Sequence, residues 1–415
     1  MSRIYVALKT LFVLLIGLQT SRRALADDWP MYLGPEMNSI SKETGLADSW
    51  PAEGPREIWR IRLGDSFSPP AAKGTDLIVP HRIGSEEIVD CLDTKTGKLR
   101  WRFKYPTRYR DMYGYNSGPR CSPIITEKEV YTLGAGGELH CLDRQTGKQI
   151  WKRSINREYK VKQNFFGVGA SPVLEGNLLL VNVGGPDGAG VAAFDRLTGK
   201  TVWATTDDGA SYCTPAVATV KGKRYGFFLT RKGLVITEVA TGKVHSTYFF
   251  RSRKYESVNG ATPIIVDDLV FLSAAYQTGC ALLRMKDDGV EEIYRGLQMS
   301  NHWGTSIYID GHLYGVDGRH ESEANFRCID FKSGKLKWQV DEELGRATMI
   351  VADGKFFILT ERGKLVLAKA SPEAYREISR TPTILSYPCY TPPILANGFL
   401  YTRDEKKLIC FDVRK

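Results

Sequence analysis

Eight side chains with recognition chemistry recur at wide intervals along this chain: Arg120, Phe166, Tyr212, Asn259, His302, Trp303, Arg346 and Tyr390. A guanidinium offers a fork of donors to an oxyanion. Aromatic faces stack on rings and cations, and amide and imidazole groups orient polar atoms. Brought together, such a set suits a concave site for an anionic, planar or polyhydroxy ligand, or for a peptide. The same residues could instead cap a ring with aromatics and leave the arginines solvated; the sequence keeps both readings open. If they form an exposed site, replacing Arg120, Trp303 and Arg346 by alanine abolishes binding at little cost in stability, since exposed positions usually change it by under about 0.5 kcal/mol.

Other chemistry finds little support. The six histidines (81, 140, 245, 302, 312 and 320) are scattered, and neither C-x-x-C nor H-E-x-x-H occurs, so no metal site is expected. No nucleophile constellation is visible, although a hydrolase or lyase on the same loops is a third reading. The pieces GAGG (134–137) and GGPDGAG (184–190) follow strands without a helical pattern after them, and read as hairpin loops rather than phosphate cradles. Asp187 in the second piece reads as a turn residue before a cation ligand.

The elements that must position these residues show in a repeat. Residues 91–101 read CLDTKTGKLRW, 141–151 CLDRQTGKQIW, 193–203 AFDRLTGKTVW and 328–338 CIDFKSGKLKW. Degenerate copies begin at Thr237, Arg284 and Leu367, and the last stops at Cys410-Phe411-Asp412-Val413-Arg414-Lys415. In each full copy a strand ends at Asp, a Gly takes the turn, and a second strand carries a Trp that can fill the wedge between neighbouring sheets. Independently, Ser or Thr before Pro or an apolar residue opens a short apolar run at Ser68, Ser122, Ser171, Thr214, Thr262, Thr305, Thr348 and Thr391, spaced by 54, 49, 43, 48, 43, 43 and 43 residues. Four short strands per period of about 45 residues make a propeller blade. The fold expected is all-β: an eight-bladed β-propeller of four-stranded antiparallel blades. The truncated last copy lacks a Trp strand, and Glu57-Ile58-Trp59-Arg60-Ile61 is a Trp strand lacking a copy, so the N-terminal strand should close the last blade.

This D-x-x-T-G-K-x-x-W repeat resembles the pyrroloquinoline quinone (PQQ)-like propeller repeat shared by quinoprotein alcohol dehydrogenases and BamB-type outer-membrane assembly factors. The period is that of WD40- and YVTN-like repeats. The resemblance covers roughly residues 55–415, and the leader Trp29 to Leu46 is similar to one that precedes such propellers in secreted planctomycete proteins. It implies either a binding or scaffolding module or, as the alternative, a PQQ-dependent oxidoreductase acting on alcohols or sugars. Such enzymes stack PQQ against a disulfide between adjacent cysteines and hold Ca²⁺ with carboxylate and amide oxygens beside an Asp base. This chain has no adjacent cysteine pair, lacks the enzymes' extra length and long inserts, and no catalytic residue carries over. The binding module is the preferred reading, with no cofactor expected.

Residues 1–26 read as a signal peptide: Arg3 and Lys9, the apolar run Leu11–Leu18, then Ala24-Leu25-Ala26 ahead of Asp27. An uncleaved anchor is the alternative. A leader follows over 27–55 and the propeller over 56–415, in the periplasm or secreted. Hydrophobic residues at 42% and charged residues at 25% exclude wholesale disorder. The net charge is +10, of which residues 1–26 contribute four, and without a Lys/Arg run nucleic acid is not an expected partner. No later segment approaches the roughly 20 apolar residues of a membrane helix. The partner expected is a protein, polysaccharide or small ligand at the channel face, bound by a monomer. Of the eight cysteines, Cys91, Cys141, Cys328 and Cys410 fall two residues before the motif Asp and should be buried thiols. Cys121, Cys213 and Cys389 precede inner strands, and Cys280 begins an outer one; pairing of these four is left open.

Overall fold

The computed structural model describes residues 27–163, 165–341 and 344–415; the signal segment expected over 1–26 lies outside them. Eight four-stranded antiparallel sheets follow one another around a closed ring. Blade 1 runs from its inner strand Ala71–Lys73 through Asp76–Ile83 and Glu86–Asp93 to its outer strand Leu99–Pro106. Blades 2 to 7 repeat that order. Blade 8 takes Ile394–Ala396, Phe399–Arg403 and Lys407–Asp412 from the C-terminal end and its outer strand, Arg56–Arg62, from the N-terminal side. The eight-bladed propeller and its closure by the first strand are as the repeat implies.

The Asp-x-x-Thr-Gly turn works as its residue types require. Asp93 Oδ1 accepts the amides of Lys95 and Thr96 and the Thr96 hydroxyl, and Asp143 and Asp195 do the same in their blades. The tryptophan of one blade then lies on the turn of the next. Trp59 Nε1 donates to Thr94 O at 3.1 Å, Trp101 to Arg144 O at 2.8 Å, Trp151 to Arg196 O at 2.9 Å, Trp203 to Val239 O at 2.8 Å and Trp338 to Ser371 O at 3.0 Å. Where the repeat is degenerate, Tyr294 donates to Phe331 O and His245 meets Lys286 O. The turn glycine is therefore required twice. Gly147 has φ +69°, and a Cβ there would stand 2.5 Å from the Trp101 ring. The motif cysteines gain a reason as well: Cys91, Cys141, Cys328 and Cys410 pair across the strands with Trp101, Trp151, Trp338 and Trp59. A small side chain opposite leaves that sheet face to the indole. All eight cysteines are buried and free.

Near the axis the inner strands are tied by hydroxyls and thiols. Ser68 Oγ donates to Cys121 O at 2.6 Å, the Ser122 and Ser171 amides donate to Ser171 Oγ and Thr214 Oγ1, and Cys213 Sγ donates to Ala261 O. The Thr262 amide donates to Thr305 Oγ1, and Thr348 Oγ1 and Thr391 Oγ1 donate to Thr391 O and Phe67 O. The recurrent Ser/Thr of the sequence is thus an inter-blade link, beyond the strand-opening role of the proline beside it. At the closing seam, fully buried Arg403 of blade 8 donates to Ser68 O and Pro80 O of blade 1, and Tyr401 donates to Thr94 O.

Residues 27–55 cross the ring on the face away from the loops that enter the inner strands. Trp29 bridges Ala72 of blade 1, Pro30 O accepts the Ile125 amide of blade 2, Ile40 bridges Val351 of blade 7, and the Ala47 amide reaches Val413 O of blade 8. Glu43 is buried there, accepting the Gly398 amide on Oε2, and desolvation pushes its carboxyl up to about 7.

Two outcomes test these junctions. Trp101→Ala and Trp203→Ala each cost about 3–5 kcal/mol in urea unfolding, and half-buried Trp151→Ala costs less; deleting 57–63 abolishes the cooperative transition by opening an edge. Near-neutral values would remove the junction argument. The Glu43 carboxyl, raised in the folded state above its unfolded 4.5, makes the protein most stable below about pH 4.5 with respect to this group, and that contribution is lost as pH rises through about 7. Glu43→Gln should therefore abolish a fall in stability of up to about 3 kcal/mol between pH 5 and pH 8.

Candidate functional site

The loops that run from an outer strand to the next inner strand gather at one end of the channel, above the leader. Between them lies a cavity of about 450 Å³. Its floor is Tyr32, Leu33 and Ser39 of the leader, and its walls come from the mouth loops. Seven of the eight residues singled out in the sequence line it: Arg120, Phe166, Tyr212, His302, Trp303, Arg346 and Tyr390. Asn259 does not. It is buried, and its Nδ2 donates to Thr230 O and Phe250 O, holding the loop into blade 5. Tyr105, at the start of the first mouth loop by sequence, sits in the outer strand of blade 1 and donates to buried Glu87.

The aromatic rings touch in series. Tyr276 lies 5.5 Å from His302 between ring centres, His302 5.2 Å from Trp303, Trp303 4.7 Å from Tyr390 and Tyr390 5.4 Å from Phe67. On another wall Tyr115 meets Phe166 and Phe166 meets Tyr212, whose hydroxyl accepts the Phe166 amide at 2.8 Å. Such edge and tilted contacts, each a modest gain, hold the walls without a ligand. Burial keeps the Tyr212 phenol protonated and, with the nearby guanidiniums of Arg346 and Arg319, pulls the His302 imidazole down to about 3, so it is neutral at physiological pH.

The arginines are not solvated. Arg120 Nη2 pairs at 3.0 Å with Asp111, whose side chain is fully buried, and bonds Asn116 O and Gly118 O. Asp111 is the organiser of the loop into blade 2, since its other oxygen accepts the amides of Tyr113 and Tyr115. Arg346 pairs at 2.6 Å with buried Glu361 and lies over Trp303 at 4.7 Å. Burial raises the Glu361 carboxyl against the lowering by Arg346. Each guanidinium thus carries its own buried counter-ion. This overturns the expectation that replacing these arginines spares stability. Asp111, Glu361, Tyr276 and Arg319 were missed by sequence reasoning. Only Asp111 left a signal, as the sole acid of a Tyr/Arg-rich loop.

Comparison with known proteins places this geometry. The family described as "Outer membrane protein assembly factor BamB" matches residues 85–340. The outer membrane protein assembly factor BamB of Yersinia pestis is 21% identical over 309 residues, 68% of this chain and 71% of that protein. The quinohemoprotein alcohol dehydrogenase ADH-IIG of Pseudomonas putida is 27% identical over 131 residues, 30% of this chain; the match takes in 17% of that enzyme's length. Among solved structures, BamB from Moraxella catarrhalis superposes with a TM-score of 0.61 at 16% identity, over 86% of this chain and 97% of that one. Quinohemoprotein alcohol dehydrogenase from Comamonas testosteroni gives 0.63 at 13%, over 93% and 80%. At such identities the superpositions establish the fold.

Arg120→Ala and Arg346→Ala should each destabilise by about 3–5 kcal/mol, because a buried carboxylate is left alone. Chemical denaturation reads this directly, and values within about 0.5 kcal/mol of wild type would show that the pairs are not structural. Asn259→Ala should cost about 1–3 kcal/mol through its stranded carbonyls.

Proposed function

The chain belongs to the family described as outer membrane protein assembly factor BamB, and from that membership we propose that it works outside the cytoplasm as a non-catalytic binding or scaffolding module. Its partner is a protein that docks on the channel mouth. The observation that carries this reading is the rim of the cavity. Met112, Tyr113, Tyr115, Tyr255 and Tyr387 stand more than half exposed on loops from three blades. Arg231 stacks on Tyr255 at 5.1 Å and Arg362 on Tyr387 at 5.9 Å. Tyrosine and arginine dominate the energetics of protein interfaces, and large apolar side chains grouped on a surface mark contact sites.

A PQQ-dependent oxidoreductase is the rival, favoured by the local likeness to quinohemoprotein dehydrogenases. Bound PQQ would supply two-electron oxidation of an alcohol. The residues present do not fit it. Among the described residues no Asp or Glu lines the cavity, so none of them offers a Ca²⁺ ligand set or a carboxylate base there. Cys121 and Cys213 bond backbone carbonyls in place of each other. No group of three His, Cys, Asp or Glu among the described residues could hold a metal.

Site-specific photo-crosslinkers at Tyr113 and Tyr255, expressed in the native host, test the reading. One stoichiometric protein adduct is expected, lost in Tyr113→Ala/Tyr255→Ala/Tyr387→Ala carrying the crosslinker at Tyr115. Saturable dye reduction by the purified protein with PQQ, Ca²⁺ and an alcohol would establish the rival instead.

A further inference from the structure

The cavity beneath the rim has charge of one sign that is only partly balanced. Three arginines and two histidines line it, and no acid among the described residues does. Arg120 and Arg346 are neutralised from behind by Asp111 and Glu361. Arg319, between the second and third strands of blade 6, is not. Its neighbour Glu321 is taken by Arg362, and Asp317 by Arg327. The Arg319 guanidinium lies 4.3 Å from the centre of the Tyr276 ring, and its own carbonyl is held by Arg346 Nη1 at 3.0 Å. The cation is thus placed by a stacked ring and an anchored backbone, with no carboxylate among the described residues to meet it.

Two further donors lack acceptors beside it. Trp303 Nε1 and His302 Nδ1 are buried, and neither has a hydrogen-bond partner. When the Tyr276 hydroxyl donates to His302 Nε2, 3.3 Å away, a neutral ring must carry its proton on Nδ1. Both atoms lie within the wall, where no acceptor among the described residues meets them. Arg319, Tyr276, His302 and Trp303 form one continuous run of contacts. The volume, about 450 Å³, lies in the range of small-ligand pockets, roughly 300–1,000 Å³.

We propose that this cavity binds a small planar organic monocarboxylate, its charge met by Arg319 and its ring by the aromatic walls of Tyr276, His302 and Trp303. The site rests on the binding role proposed for the mouth but not on the protein partner at the rim. One guanidinium without a carboxylate partner matches one carboxylate, and the described walls offer no acid to a cationic ligand.

The test is isothermal titration of the purified mature protein with benzoate, 4-hydroxybenzoate and indole-3-carboxylate, each against its primary amide. Wild type should bind at least one acid tenfold more tightly than the matching amide. Arg319→Gln should lose at least tenfold for the acid and little for the amide; Arg319→Lys should recover part, and Trp303→Ala should weaken acid and amide alike by removing the wall. Exposed Arg108→Gln, outside the cavity, is the control. Tyr113→Ala/Tyr255→Ala should leave the titration unchanged, so failure of the cavity and failure of the rim are read separately. The proposal is overturned if no acid binds, if acid and amide bind equally, if a folded Arg319→Gln protein binds like wild type, or if pyrroloquinoline quinone binds more tightly than every monocarboxylate.

Discussion

A four-stranded sheet with two apolar faces has no stable existence alone, and everything in this molecule follows from how one such sheet is joined to the next. The joint has two levels. Outside, an indole on the last strand of one blade lies on the glycine of the next blade's turn and donates to a carbonyl there, as Trp101 does to Arg144. Inside, where the strands are crowded near the axis, Ser, Thr and Cys side chains bridge main chains, as Ser171 Oγ does for the Ser122 amide. The outer joint sets the spacing of blades, and the inner one sets the diameter of the ring. Closure then follows only if the eighth joint is made like the others, which is the work of Trp59 on the Thr94 turn and of Arg403 across the seam.

Because the joints between blades lie in the turns and at the strand ends near the axis, the loops at the mouth need not repeat from blade to blade. They vary in length and composition while their anchor points stay fixed, the condition under which a scaffold can present a site. The loops are nevertheless ordered from within, by Asp111 in the loop to blade 2, Asn259 in the loop to blade 5 and Glu361 beside the loop to blade 7. The arginines held by Asp111 and Glu361 serve as walls, stacked on Phe67 and Trp303, while Arg319 lies on the Tyr276 ring. The leader completes the site from below. A chain segment with no regular structure of its own turns an open channel into a pocket with Tyr32 and Leu33 as its floor.

The likeness to both assembly factors and quinoprotein dehydrogenases is a consequence of this division. The repeated motif belongs to the joint, and a joint is the same whatever the mouth does. Sequence identity concentrated in repeats therefore reports the ring and not its chemistry. The lining of the cavity holds no carboxylate among the described residues.

The architecture is written in local patterns of the chain. Eight Ser/Thr marks, the Asp-Gly turns and a Trp strand without a partner at one end sufficed for eight blades and for the closing pair of Arg56–Arg62 with Lys407–Asp412, because turn chemistry and strand alternation are local and repeat in register. Seven of the eight candidate site residues were legible for a related reason: position within the repeat places a loop at the mouth. Their roles were not legible. That Asp111 turns toward Arg120 within one loop, that Asn259 reaches Thr230 as well as Phe250, that Glu361 neutralises Arg346 and that residues 27–55 form the floor depend on side-chain direction and on contacts between segments as far as 355 residues apart, as in the Glu43–Gly398 bond. No local pattern encodes such a contact. Whether a guanidinium faces a carboxylate or a cavity is decided only when the ring closes and brings the blades together.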